Sequence, residues 1–428
     1  MRKQLSRIDY KILFIFYPLL FVLCYLQAHA YVQPYYFPSE GIMGWPLRLM
    51  AIFVGIKAFM MHYKRHPLMS LYILYLFLTI IPYILFARPI ELYVISVAFF
   101  IMPMTFFYIG LDNSDFKGSF EKSLFISCIC LFVVGFYLYF FRPEWYEVAT
   151  TASYNEYQVG QEIRQEDWVA EHLRFGSVML DSYAISYFSM FTLPYAMFKY
   201  SLSKTKKTRW IYMAGIIICF VSGILCQQRV AMACVIAVLF FFVFMRNKKY
   251  FFFLSFITVC FIFAVIIFIE ANQDDIIVGL ISSRFEKMSL SEAFNTNSVS
   301  NTRVSQVVDT MNALENWLTG EGTGYGGGKA RRMGLVGVSD VNYVRLLYEE
   351  GMVGLAMFLM IIIPAVIRGA KNIRYLFKET IIVICILAAM MVADPLDYFF
   401  YIPPFWYACG RIYNKQYLNY LKTNNLHI

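Results

Sequence analysis

Residues 272–354 decide how this chain is read. They begin NQDDIIVGL (272–280), pass through NTRVSQVVDTMNALENWLTGEGTGYGGGKARR (301–332) and close with SDVNYVRLLYEEGMVGLAMF (339–358), where a charged segment runs straight into an apolar one. This is the one long polar interruption in a sequence otherwise built of apolar runs of roughly 17 to 25 residues, the length that crosses a bilayer core as a helix. The reading places the chemistry in this stretch and gives the surrounding helices the task of holding a substrate against it.

The chain has 428 residues, 60% of them hydrophobic and 19% aromatic, with only 15% charged. That composition excludes one or two soluble domains and indicates an all-α polytopic membrane protein. A β-barrel would show short alternating segments instead. The apolar runs predict about twelve crossings in a single integral membrane domain, residues 1–428. The first four are Ile12–Ala30, Trp45–Tyr63, Pro67–Ala87 and Glu91–Leu111, followed by Ser123–Phe141, Tyr183–Tyr200, Trp210–Cys226 and Val230–Met245. The last four are Tyr250–Ile269, a helix from Val341 that ends before Arg368, Thr380–Ala393 and Tyr398–Ile412. Two sizeable loops, 142–181 and 270–341, then fall on one side, and no internal repeat of the inverted-repeat transporter kind is visible.

The formal net charge is +9, but its placement argues for topology rather than nucleic acid. About 23 of the 37 Lys and Arg, against about 5 of the 28 acids, fall in one alternating set of short loops and tails, which the positive-inside rule makes cytoplasmic. Clusters such as Lys204, Lys206, Lys207 and Arg209 are topology signals. Both termini are then cytoplasmic and the two large loops external. The N-terminal run lacks a small-residue cleavage site and reads as a retained first helix. Lys57, deep in the second crossing, is explained equally by snorkelling and by function. All nine cysteines lie inside apolar runs, so they read as small core residues, with no disulfide framework and no metal site.

Within the opening stretch, Val304, Val307, Val308, Met311, Leu314, Trp317 and Leu318 recur at intervals of three and four, which predicts an amphipathic helix capped near Asn301 or Thr302. Arg303 in its first turn opposes the helix dipole, an arrangement suited to an external anion. The glycines of TGEGTGYGGGKARR raise the possibility of a phosphate loop. The Walker spacing fails, because Ala330 follows Lys329 and Thr323 stands where the leading Gly belongs. A flexible hinge or lid is the reading adopted. Further on, Arg345 and Glu349 share one helix face with Asp340 at the mouth, and a simple i,i+4 ion pair accounts for Glu349 as well as a role in chemistry does.

Two other external turns carry candidates. QEIRQEDWVAEHLRF (161–175) suggests a short interfacial helix, and it leads to Arg174, Gly176 and Asp181 at the entrance of the sixth crossing. In CQQRVAMA (226–233), Arg229 is pinned in a turn of about three residues and runs against the charge bias, which makes it a stronger functional candidate than an arginine in a mobile tail.

SDVNYVRLLYEEGMVGL (339–355), LRFGSVMLDSY (173–183) and the turn arginine of CQQRVAMA together resemble O-antigen and capsular polysaccharide polymerases of the Wzy type, within the superfamily that also holds O-antigen ligases. Ligases carry a His where Asp340 stands, and the loop 270–341 has no His. The resemblance therefore favours a polymerase. It implies a GT-C-like glycosyltransferase of lipopolysaccharide or related surface-polysaccharide biosynthesis, in the bacterial inner membrane with its active site facing the periplasm. Such an enzyme joins undecaprenyl-pyrophosphate-linked repeat units and needs neither cofactor nor metal. Its partners are lipid-linked glycans, membrane lipid and a chain-length regulator protein, with no nucleic acid. Arg229, Arg174 and Arg303 are assigned to pyrophosphate and Asp340 to the catalytic base. Arg345 is either a fourth cation or a positioning partner, Asp181 and Glu349 are alternate carboxylates, and Tyr343 lines the substrate site. The competing expectations are an O-antigen ligase acting on lipid A core and a flippase for lipid-linked oligosaccharides.

Overall fold

In the computed structural model, the residues described are 4–30, 40–116, 118–157, 175–226, 228–247, 303–326, 341–391, 393, 395–397 and 402–428. The expected crossing Tyr250–Ile269, the interfacial segment 161–174 and the residues Arg174, Lys329, Arg331, Arg332 and Asp340 lie outside them. The described residues form helices and no strands. These are α1 (Arg7–Ala30), α2 (Glu40–His62), α3 (Pro67–Leu78), α4 (Ile80–Leu85), α5 (Ile90–Ser96), α6 (Phe106–Leu111), α7 (Ser119–Phe141) and α8 (Glu144–Tyr157). They continue with α9 (Ser182–Leu202), α10 (Lys206–Leu225), α11 (Arg229–Arg246), α12 (Arg303–Asn312), α13 (Asn342–Lys371), α14 (Phe377–Ala389), α15 (Ile402–Tyr413) and α16 (Lys415–Thr423).

Seven helical segments among the described residues are long and apolar enough to cross a membrane: 7–26, 67–85, 90–111, 119–141, 206–225, 229–246 and 342–371. This is consistent with a helical membrane protein and is fewer than the twelve crossings expected. Part of the difference is physical. The 13-residue α14 is about 20 Å long at 1.5 Å per residue, short of a hydrocarbon core of about 30 Å. The paired prolines Pro403 and Pro404 sit in the first turn of α15, where a missing N–H is tolerated. The central helix is α9, most of whose residues are buried among α7, α10, α11 and α14. Enclosed by protein rather than lipid, it can carry Ser186, Ser189 and Thr192, whose hydroxyls bond carbonyls of their own preceding turn.

Glycines set one close crossing. A Cβ on Gly110 of α6 would meet the carbonyl of Tyr407, and one on Gly410 of α15 would meet the carbonyl of Phe107. The two backbones therefore touch, as small residues permit in membrane helix pairs.

The polar residues gather at two ends. The basic end is tied together through Asp112, which accepts from Leu5 N (3.2 Å), Tyr10 Oη (2.9 Å) and His62 Nε2 (2.8 Å). Burial alone would raise the Asp112 carboxyl, but hydrogen bonds from His62, Ser114 and Tyr10 hold it well below the usual carboxylate range. Lys57 pairs with Asp9 at 2.7 Å, so this lysine has a carboxylate partner and does not depend on snorkelling alone. The distal end carries the turns at 86–89, 142–144, 175–181 and 226–229 with the segment 313–326. In the first large loop, α8 occupies Glu144–Tyr157, a helix the spacing argument had not placed. All eight described cysteines are free thiols; six are buried, in keeping with a core role, while Cys24 is half-buried and Cys130 is exposed, which the core reading did not anticipate.

Candidate functional site

The distal end is organised by a break in α13. Gly351 has φ 66° and ψ −173° inside an otherwise continuous helix, a conformation essentially reserved for glycine. The break removes α-helical partners from several backbone groups, and each such group left unpaired at membrane depth costs several kcal/mol. The segment 316–324 supplies the replacements. Glu321 N donates to Tyr348 O and Gly322 N to Glu349 O, both at 2.8 Å, while Met352 N donates to Trp317 O (2.9 Å) and Val353 N to Leu318 O (3.2 Å). The Tyr75 hydroxyl donates to Glu350 O.

This corrects two expectations. The amphipathic helix ends at Asn312 rather than running through Leu318. Leu314 is buried, whereas Trp317 and Leu318 are 47% and 63% exposed and contribute carbonyls to the break. The glycine-rich segment, in its described half, is no flexible hinge. Gly320, Gly322 and Gly324 all have positive φ, and Glu321 and Thr323 between them are buried. Thr323 bonds Thr79 at 2.9 Å at the junction of α3 and α4, and Tyr83 donates to Thr323 O at 2.9 Å. Arg88 binds the carbonyl and carboxylate of Glu321, and its guanidinium lies 4.2 Å from the centre of the Tyr325 ring. The Glu321 carboxylate also accepts from Glu315 N and Asn316 N at 3.0 Å.

Glu349 holds the same segment from the other side. Its carboxylate accepts from Gly324 N (2.8 Å), Gly326 N (3.1 Å) and Arg345 Nε (2.7 Å). Both residues are buried, so the i,i+4 spacing does produce an ion pair. Two glycine amides of the kind that cradle a phosphate are occupied by a carboxylate of the chain itself. Tyr343, half-buried, donates to Leu387 O at 3.1 Å and ties α13 to α14.

A second group forms where the turn after α10 meets the turn before α9. Phe175 N donates to Leu225 O at 3.2 Å and Gln228 Nε2 to Ser182 Oγ at 2.9 Å. Asp181 caps α9 by accepting from Tyr183 N at 2.8 Å. Arg229 is the first residue of α11 and is exposed. Asp181 and Arg229 thus sit on adjoining turns. The two groups stand at the same end of the bundle, bridged by α14, which packs against α9, α11 and α13 and whose last turn meets α13 through Asn342 N donating to Met390 O at 2.9 Å. Arg303 opens α12, its side chain outside the described residues, and α12 packs on α13. Among the described residues no cluster of His, Cys, Asp and Glu is arranged to hold a metal.

The residues that sequence reasoning missed are the builders of the latch. They are Tyr72, Tyr75, Thr79, Arg88, Glu321, Thr323 and Glu350. Glu350 is fully buried; its Oε2 accepts from Tyr72 at 2.8 Å and its Oε1 has no hydrogen-bond partner among the described residues. Two signals for this arrangement stand in the sequence: adjacent acids before a glycine in an apolar run, and glycine at every second position in GEGTG.

Comparison with known proteins returns no matching family model and no matching curated protein.

Proposed function

We propose that this chain is a glycosyltransferase of the Wzy polymerase kind, joining lipid-pyrophosphate-linked oligosaccharide units at the periplasmic face of a bacterial inner membrane, on a GT-C-like fold. The observation that carries the reading is the exposed Arg229 at the N-terminus of α11, on the turn that adjoins Asp181, at the end of the bundle opposite the basic segments. A guanidinium binds phosphate oxygens in pairs and keeps its charge, and the first-turn amides of a helix add to the same field.

In the proposed reaction a sugar hydroxyl of the incoming unit attacks the anomeric carbon of the lipid-linked chain. A new C–O bond forms as the bond to pyrophosphate breaks, the lipid pyrophosphate leaves with the electron pair, and the hydroxyl proton passes to a carboxylate. Asp340 is assigned as that base, with Asp181 as alternate. Arg229, Arg174 and Arg303 stabilise the leaving pyrophosphate. Arg345 and Glu349 are positioning residues in this scheme, because their charges are paired and hold the loop that leads towards Asp340. No metal or cofactor is required when the leaving group is a pyrophosphate.

The test is complementation of a polymerase-null strain with Arg229→Ala, Arg303→Ala and Asp340→Asn, reading glycan length on a gel. Single-repeat products at normal protein levels are expected. Wild-type ladders from all three would overturn the assignment. Accumulation of full-length lipid-linked chains in a deletion strain would point to a ligase, and transport of intact units without change in glycan length to a flippase.

A further inference from the structure

At the basic end, far from the groups just described, a cleft of about 370 Å³ opens between the ends of α7, α9, α14 and α16. Its floor is Lys378, a buried lysine bonded to Glu121 and lying 3.0 Å from Glu379. The Lys378 ammonium also lies within 5.8 to 5.9 Å of the ring centres of Tyr195, Phe198 and Tyr417. Two acids and three aromatic rings therefore surround this one ammonium, and the second acid offsets part of the charge of the neighbouring Lys199. Lys199 and Lys122 line the same cleft and form no ion pair among the described residues. Lys199 is half-buried, with its ammonium 5.5 Å from the Tyr195 ring centre, while Lys122 is exposed.

Glu121 itself lines the cleft beside Lys378, and the remaining walls are apolar or aromatic: Phe116, Leu202, Tyr212, Tyr420, Leu421 and Leu426. They come partly from α16, a helix with Tyr417, Leu418 and Leu421 buried and Lys415 and Lys422 on its other side. Three lysines against two acids leave this cleft one net positive charge; a space of this volume beside it is too polar to stay dry, and at about 30 Å³ per water it holds roughly a dozen. An occupant that replaces this water must bring negative charge to Lys199 and Lys122 and apolar surface to the leucine wall. The charge bias places this end in the cytoplasmic leaflet, and basic pockets between helix ends on that side suit anionic lipid headgroups.

We infer that this cleft is a binding site for the phosphate diester headgroup of an anionic phospholipid of the inner leaflet, with Lys199 and Lys122 on the phosphate and the chains running past Leu202 and Leu421. The site is independent of the glycan chemistry proposed at the opposite end.

The experiment uses the purified full-length chain in detergent, with lipid binding read by native mass spectrometry and by the shift in thermal midpoint. Phosphatidylglycerol is expected to bind and to raise the midpoint, and phosphatidylcholine to do neither. Lys199→Gln and Lys122→Glu are each expected to weaken phosphatidylglycerol binding at least about fivefold, the factor that corresponds to about 1 kcal/mol per lysine at a membrane surface. Lys122 is exposed, so its variant tests the site even if the Lys199 variant fails to fold. Equal effects of the two lipids, undiminished phosphatidylglycerol binding by the folded variants, or full protection by inorganic phosphate alone would overturn the inference.

Discussion

Two arginines of the distal end, Arg345 and Arg229, stand close to helix starts and differ in burial. Arg345 is 6% exposed and its Nε donates to the Glu349 carboxylate, which in turn holds Gly324 and Gly326. Arg229 is exposed, at the first position of α11. A buried charge in a hydrogen-bonded pair is part of the scaffold, since losing its partner strands it in a low-dielectric setting. An exposed one can meet an anion at little structural expense. In this end of the molecule burial, more than residue type, separates a positioning arginine from one suited to a ligand.

The sharpest way to break that contrast is Glu349→Ala. It leaves Arg345 buried beside a missing partner and two glycine amides unbonded, and should cost about 3–5 kcal/mol. Fluorescence-detected size exclusion of the detergent-solubilised protein should show loss of the folded, monodisperse peak. A normal profile would mean that Arg345 and Glu349 do not hold the loop. By contrast, Arg229→Ala should leave that profile unchanged, as exposed substitutions usually stay within about 0.5 kcal/mol, while abolishing the glycan ladder.

Gly351→Ala is the next test in size. The backbone conformation alone penalises a side chain by about 1–3 kcal/mol, and the added Cβ would meet the Leu318 carbonyl and Gly320 N. A lowered thermal midpoint and faster proteolysis within 316–326 are expected. Unchanged proteolysis would separate the helix break from the loop packed on it.

The smallest effect concerns the basic end, where Asp112 is buried and bonded as Glu349 is. Its carboxyl is held low in the folded state, so the stability it contributes is present above the unfolded value of about 3.9 and is lost as pH falls through that value towards the folded one. The difference in thermal midpoint between the wild type and Asp112→Asn should be constant from about pH 8 to pH 5 and shrink below about pH 4. A difference that instead changes between pH 8 and 6 would overturn the assignment to Asp112.

Much of the fold was legible because hydropathy and helix length are local properties. The start of α13 at Asn342 and the Arg345–Glu349 pair both follow from spacing within a few residues. The latch was not legible, because its bonds join Thr79 to Thr323, Arg88 to Glu321 and Glu349 to Gly324, partners brought together only by packing. The overrun of the amphipathic helix past Asn312 has a similar cause. Leu314, Trp317 and Leu318 continue the apolar period, but tertiary hydrogen bonds to the α13 break took precedence over it. The short α14 was read as a full crossing because an apolar run reports on burial, and burial among neighbouring helices looks the same in sequence as burial in lipid.

The interruption at Gly351 also divides one helix macrodipole into two, placing a partly negative C-terminal end against a partly positive N-terminal one. In transporters with discontinuous helices, such facing ends coordinate ions and charged substrates. Here the loop amides of Glu321 and Gly322 and the Tyr75 hydroxyl cover the negative end, while the carbonyls of Trp317 and Leu318 cover the positive one. Both half-dipoles are terminated by the chain's own groups, so a permeating ion would find no uncovered pole at this break to bind.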